Sequence, residues 1–132
     1  MTNKLETYPN LIGWSHAAFI VPIILAALSG VYWHGLLLSI AVVVSLIFHA
    51  KPESIWRKID PIVASALISG NLYLCYISNF RVPYFEIAIF FVFVAFFFYF
   101  RGHNGNYNLN HSMWHLASAV ITTCCLLGYL AS

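Results

Sequence analysis

The sequence predicts an all-α fold, a polytopic bundle of five transmembrane helices, from three observations. Hydrophobic residues make up 61% of the 132 residues and charged residues only 8%, whereas soluble domains carry about 25% charged residues. The apolar residues form runs long enough to cross a bilayer core of about 30 Å. These runs follow one another without a linker or repeat, so we expect one domain over residues 1–132.

Each of the five runs has its own features. The first run follows Lys4 and Glu6. It is longer than the apolar core of a typical secretory signal peptide, and no clear cleavage site follows it, so we expect a retained span. Pro22 is expected to kink it. The second run is short, and its boundary with the first is the least defined. The fourth is apolar on all sides, which is typical of a lipid-facing helix. The predicted spans are 13–33, 35–50, 61–78, 84–101 and 109–131.

The basic residues predict an orientation. Alternating spans place the N-terminal tail and the loops 51–59 and 102–108 on one side of the membrane. Five of the basic residues then share that side: Lys4, Lys51, Arg57, Lys58 and Arg101. Only Arg81 lies on the other. By the positive-inside rule, we expect a cytoplasmic N-terminus and an external C-terminus. The small net charge of +2 does not indicate nucleic-acid binding.

Five polar residues interrupt the apolar runs at one predicted side of the membrane. Ser45 and His49 are four residues apart at the end of the second span, and His111 and His115 are four apart at the start of the fifth. Each pair therefore shares one helix face. Asp60 begins the third span. Because an ionisable group at the bilayer centre costs about 2.5–3.5 kcal/mol, such residues indicate a functional site near the cytoplasmic face.

The spacing of the histidines suits a metal. Two imidazoles at i and i+4 can bind one ion, and a third from a facing helix leaves one coordination position for water. His49, His111 and His115 are therefore predicted to bind Zn²⁺. Asp60 would then orient or deprotonate the bound water, and Ser45 would donate a hydrogen bond to a developing oxyanion.

Each of these residues also has a purely structural interpretation. Asp60 precedes a proline, a pattern typical of a helix N-cap. Ser45 alone is more typical of a hydroxyl bonded to its own helix. His49 could be an interfacial histidine, and His111 another, paired with a neighbour on its helix. His115 is the hardest to explain this way, because it sits a full turn inside an apolar helix.

The remaining polar residues carry weaker signals. His16 is a candidate fourth ligand or a support for the other ligands, although an interfacial role beside a tryptophan is the commoner one. His34 and His103, the latter in a predicted loop, should not reach the cluster. Asn71 is expected to form an interhelical hydrogen bond, and Glu86 has no assigned role. Packing roles are expected for Ser65, Ser69, Gly70, Cys75, Cys124 and Cys125.

The order of these motifs resembles the CREST superfamily of membrane hydrolases, which includes alkaline ceramidases, adiponectin-type receptors, Per1-like proteins and a myomaker-like and phospholipase branch. The family pattern is S-x-x-x-H, then an Asp, then H-x-x-x-H, matched here within 42–61 and 110–119. The form H-S-M-W-H is most similar to the myomaker-like branch. The resemblance implies that the three histidines bind zinc and that Asp60 and Ser45 assist the water. Family members typically have more spans than the five predicted here.

Three functions follow from this pattern. The first is a zinc-dependent enzyme that cleaves an amide or ester bond in a membrane lipid, as in a ceramidase or phospholipase. The second is a non-catalytic membrane protein with a structural zinc site, closed by a further ligand, in a receptor or membrane-remodelling role. The third is a b-type haem protein that uses one imidazole from each of two helices. The pattern leaves the lipid and any homo-oligomer open.

Overall fold

The computed structural model describes residues 11–51 and 55–132. Within them, five helical stretches are long and apolar enough to cross a membrane, which confirms the predicted all-α membrane bundle. The elements are α1 (Leu11–Ser15), a 3₁₀ turn (His16–Phe19), α2 (Ile20–Leu28), α3 (Tyr32–Ala50), α4 (Trp56–Ile77), α5 (Tyr84–Asn104) and α6 (Tyr107–Leu130). The first stretch comprises α1, the 3₁₀ turn and α2.

The boundary between the first two spans differs from the prediction. The first span ends at Leu28 rather than at residue 33, because the chain turns at Gly30, where φ is +72°. The Val31 N–H donates to the Ala26 carbonyl at 2.9 Å, a bond that belongs to a Schellman helix end with glycine in the left-handed conformation. The next helix therefore starts at Tyr32 and has the full 19 residues.

The first span is interrupted one turn before its proline. Pro22 has no N–H to donate to the Ala18 carbonyl, so the regular α-helical pattern cannot continue through this turn. The chain adopts the 3₁₀ turn over His16–Phe19 instead. This irregular turn places Ser15 and His16 on the buried side of the span.

The third span begins earlier than predicted, and this changes the role of Asp60. α4 starts at Trp56 with Ile55 at the N-cap position, and no side chain caps it. Asp60 therefore lies in the second turn, and the interpretation of Asp60 as a helix cap is wrong. Pro61 lies inside the helix, where it removes one intrahelical hydrogen bond without ending it. The Asp60 carboxylate therefore does not cap the start of α4.

The last two helices are both extended relative to the prediction. α5 continues to Asn104, so His103 lies in its last turn and not in a loop. Its side chain is exposed and its Nδ1 bonds the Tyr99 carbonyl of the same helix at 3.0 Å. α6 begins after Asn106, whose side chain accepts a hydrogen bond from the Leu109 N–H at 3.1 Å. This is an ordinary asparagine N-cap.

α6 lies at the centre of the bundle and contacts α1, α2, α4 and α5. α5 packs closely on α6 through the small residues Ala88 and Ala95 and exposes its large aromatic side chains outward. The exposed aromatics are Phe90, Phe93, Phe96, Phe97, Tyr99 and Phe100. α4 packs on α3 and α6, whereas its contact with α5 is slight. A gap therefore lies between α4 and α5.

Candidate metal centre and its cavity

Three imidazoles converge at one end of the bundle. His49 comes from the last turn of α3, and His111 and His115 from the first turns of α6. One nitrogen of each lies within 4.8 Å of the other two. The Nε2 atoms of His49 and His111 are 3.0 Å apart. These are the three residues for which the spacing predicted a common site.

His115 is held by a residue that the sequence did not reveal. Its Nδ1 lies 2.8 Å from the Ser15 hydroxyl, and that hydroxyl donates its proton to the Ile12 carbonyl at 2.6 Å. Since Ser15 has no second proton, the His115 Nδ1 must be the donor. The Nε2 atom is then left as the free nitrogen, an arrangement typical of a supported metal ligand. A serine near the start of an apolar span carries no specific signal in the sequence.

His16 lies beside the three histidines but outside their set. Its ring centroid is 4.2 Å from that of His115 and 6.0 Å from that of His49. Its Nδ1 donates to the Ile12 carbonyl at 2.7 Å, and its Nε2 is buried without a hydrogen-bond partner among the described residues. The expected interfacial role beside Trp14 is wrong, because His16 is buried and Trp14 is 75% exposed.

Asp60 and Ser45 face the same end of the bundle. Both are partly buried and line a cavity together with His16 and His111. The Asp60 carboxylate is within hydrogen-bonding reach of the Ser45 hydroxyl. Tyr107 stacks on His111, with ring centroids 5.0 Å apart and planes 16° apart. Tyr107 precedes His111 by one helical turn, a signal present in the sequence but not used in the prediction.

The cavity has a volume of about 270 Å³ and extends along the bundle from Asp60 to Cys75. These residues are fifteen apart on α4, which corresponds to about 22 Å at a rise of 1.5 Å per residue. Its walls are mainly apolar. It is lined on the α4 side by Ile68 and on the α5 side by Phe96, and both side chains are also exposed on the outer surface. The cavity is therefore open sideways, through the gap between α4 and α5.

The other polar residues lie away from the histidine end. Asn71 bonds Thr122 of α6 at 3.0 Å, which confirms the expected interhelical bond. His34 is fully buried near the opposite end of α3, and Glu86 is exposed in the first turn of α5. The expected packing roles are confirmed for Gly70 and the three cysteines, all buried, but not for Ser65 and Ser69, which are exposed.

The chain matches no protein-family model, no curated protein and no solved structure. Its resemblance to the CREST superfamily therefore remains a prediction from the motifs.

Proposed function

We propose that this protein is an integral-membrane, zinc-dependent hydrolase that cleaves an amide or ester bond of a lipid. One observation carries the proposal: three convergent imidazoles lie at the polar end of an apolar cavity that opens toward the bilayer. Asp60 and Ser45 line the same end. A metal site, an acid-base group and a space for an acyl chain are thus combined in one small bundle.

The donor set fits zinc. At Zn–N distances of 2.0–2.1 Å, two nitrogens of a tetrahedral site lie about 3.3 Å apart. The His49 and His111 nitrogens are 3.0 Å apart, and that of His115 is within 4.8 Å of both. Small side-chain rotations therefore suffice to bring all three into range. Three neutral imidazoles with no thiolate are typical of catalytic rather than structural zinc sites.

Bound zinc would supply a water with a pKa near 7 and a Lewis acid for the carbonyl. The protein's own groups perform the other steps. Asp60 accepts the proton of the attacking water, and Ser45 donates a hydrogen bond to the oxyanion that forms on the carbonyl. The water oxygen joins the acyl carbon, the C–N or C–O bond breaks, and the amine or alcohol leaves with the proton.

The cavity favours a long-chain lipid as the substrate. One leaflet of a bilayer contributes about 15 Å of hydrocarbon, and the cavity is longer than this. An acyl chain can therefore enter sideways between α4 and α5 and lie along the apolar walls. Its carbonyl would then reach the histidines, while the head group stays at the mouth of the bundle. The lysines and arginines of this end favour an orientation with that mouth in the cytoplasm.

A structural zinc site is the second candidate, and His16 is the observation that favours it. Its buried Nε2 has no partner among the described residues and its ring contacts His115. A modest rearrangement could make it a fourth ligand and close the site to water. As the helices stand, His16 lies outside the set of converging nitrogens, which supports the open, catalytic arrangement.

A b-type haem is disfavoured by the packing of the rings. A porphyrin would have to lie between two axial imidazoles, one from each helix. The rings of His49 and His111 are in direct contact instead, with centroids 4.8 Å apart. The haem interpretation also leaves the pairing of His111 with His115 and the position of Asp60 unexplained.

The test is to measure metal content and lipid cleavage on one preparation of purified, folded protein kept free of added chelator. We expect about one zinc per chain and release of fatty acid from a mixture of ceramides and phospholipids. Zinc without cleavage of any lipid in a broad panel would favour the structural site. A folded protein without zinc would overturn the proposal.

A further inference from the structure

A second polar region lies in the inner half of the cavity, on walls contributed by α4 and α6. Asn71 and Thr122 line the cavity there, and the Asn71 Nδ2–H donates to the Thr122 hydroxyl at 3.0 Å. Thr122 donates its own proton to the Ser118 carbonyl at 3.0 Å. The Asn71 Oδ1 atom remains buried without a hydrogen-bond partner among the described residues. This amide therefore has unused hydrogen-bonding capacity at the cavity wall.

His34 lies behind this amide. It is fully buried, and neither of its ring nitrogens has a hydrogen-bond partner within residues 11–51 and 55–132. It approaches the Asn71 side chain without reaching hydrogen-bond geometry. The absence of a side chain at Gly70 makes room for the ring, because a Cβ there would lie 3.0 Å from the His34 Nδ1.

We call His34, Asn71 and Thr122 the Asn71 cluster. It contains three of the four buried side-chain polar atoms that lack a partner in the described part of the chain. Unsatisfied polar groups are costly inside a membrane, where water is not at hand to replace a missing partner. Of these residues Asn71 lines the cavity, so its unpartnered oxygen indicates a polar ligand group in that cavity.

The distance from the histidine end defines where on a chain that group would be. Asn71 follows Asp60 by eleven residues and Thr122 follows His115 by seven, so the cluster lies about 10 to 16 Å inward at a rise of 1.5 Å per residue. An extended chain advances about 1.2 Å per bond, since three backbone bonds span about 3.3–3.6 Å. The cluster is therefore about eight to fourteen bonds from a carbonyl held at the histidines.

We propose that the Asn71 cluster binds a hydroxyl carried in the middle of the lipid chain, so that the preferred substrate is a hydroxylated acyl lipid. This inference rests on the proposed function for the position of the carbonyl. A hydroxyl can donate to the Asn71 Oδ1 and accept from the Asn71 N–H that Thr122 does not use. A methylene at the same place leaves these atoms unpaired, so the plain chain is disfavoured.

The test uses stearic acid and hydroxystearic acids whose hydroxyl is moved stepwise along the chain. Binding to the purified full-length protein in lipid nanodiscs is measured by competition with a fluorescent fatty acid. A hydroxyl about eight to fourteen bonds from the carboxyl carbon should tighten binding about three- to tenfold relative to stearic acid. A hydroxyl near either end should not. A flat profile for the unmodified protein overturns the inference by itself.

Two variants assign the preference to the cluster. Asn71→Leu keeps the number and branching of the side-chain heavy atoms, and it should abolish the hydroxyl preference while stearic acid still binds. Ser118→Ala is the matched control, because the Ser118 hydroxyl also lines the cavity but is already bonded to the Trp114 carbonyl at 2.8 Å. It should keep the preference. A preference that survives in Asn71→Leu places the hydroxyl elsewhere and contradicts the inference.

The binding assay is independent of turnover, because free fatty acids are not cleaved. A hydroxyl preference in a protein that neither holds zinc nor cleaves lipids would support the hydroxyl site and contradict the proposed function. Zinc-dependent lipid cleavage with a flat binding profile would support the proposed function and contradict the hydroxyl site.

Discussion

The two polar regions of the cavity solve the problem of burying polar groups in a membrane in different ways. At the histidine end, one nitrogen each of His49, His111 and His115 lies within 4.8 Å of the other two, close enough to bind one ion. At the Asn71 cluster, only Asn71 and Thr122 line the cavity, and the His34 ring lies behind them. Convergence suits an ion, which needs several ligands, whereas a single amide suits a single polar substituent on a chain.

The largest expected effect is at the histidine end. His115→Ala removes a proposed zinc ligand that is buried and hydrogen-bonded to Ser15, so zinc should be lost from the purified protein and lipid cleavage with it. Metal analysis by mass spectrometry measures this directly. His103→Ala is the control, since His103 is exposed on α5 and outside the cluster. Full zinc occupancy in His115→Ala would contradict the assignment of the site.

The second prediction separates chemistry from metal binding. Asp60→Asn keeps the shape of the side chain but cannot accept a proton, so zinc should be retained while turnover falls about 10²- to 10⁴-fold. The rate of fatty-acid release gives the effect. Glu86→Gln, at an exposed acid in the first turn of α5, should leave the rate unchanged. Loss of zinc from Asp60→Asn would instead make the aspartate a ligand.

The third prediction concerns the support of a ligand. Ser15→Ala removes the acceptor for the His115 Nδ1–H, and the loss of such a partner typically weakens metal affinity about 10- to 100-fold. Titration with a competing chelator measures the change. Ser39→Ala is the control, because that hydroxyl bonds only the Gly35 carbonyl of its own helix among the contacts resolved. Equal zinc affinities for the two variants would show that Ser15 does not support the ligand.

The smallest expected effect is at the Asn71 cluster. Gly70→Ala adds a Cβ at 3.0 Å from the His34 Nδ1, and such overpacking costs about 1–3 kcal/mol. Replacing a helical glycine regains about 1 kcal/mol, so we expect a net loss of stability of about 0–2 kcal/mol. Gly102→Ala, whose Cβ would meet only the Asn110 Cβ at 3.5 Å, should be neutral or stabilising. Thermal unfolding in detergent compares the two, and a stabilised Gly70→Ala would mean that His34 moves freely.

The two regions also differ in how far the sequence reveals them. The histidine pair at i and i+4 survives errors in helix boundaries, because the spacing places both side chains on one face wherever the helix begins. The predicted start of α4 is five residues too late. With that start Asp60 would directly precede the helix, which is why its position resembles that of an N-cap. The Ser29-Gly30 helix end lies inside the first predicted span, so that span is too long and the second is too short.

Composition and spacing alone thus determined that the chain is a bundle of membrane-spanning helices and that three of its histidines share one end. These properties depend on local quantities, the length of apolar runs and the periodicity of a helix. The tertiary structure decided which groups support or adjoin that end, Ser15 and His16 among them. It also decided that Asn71, His34 and Gly70 meet beside a cavity. Such contacts join distant segments through helix packing, which no local spacing specifies.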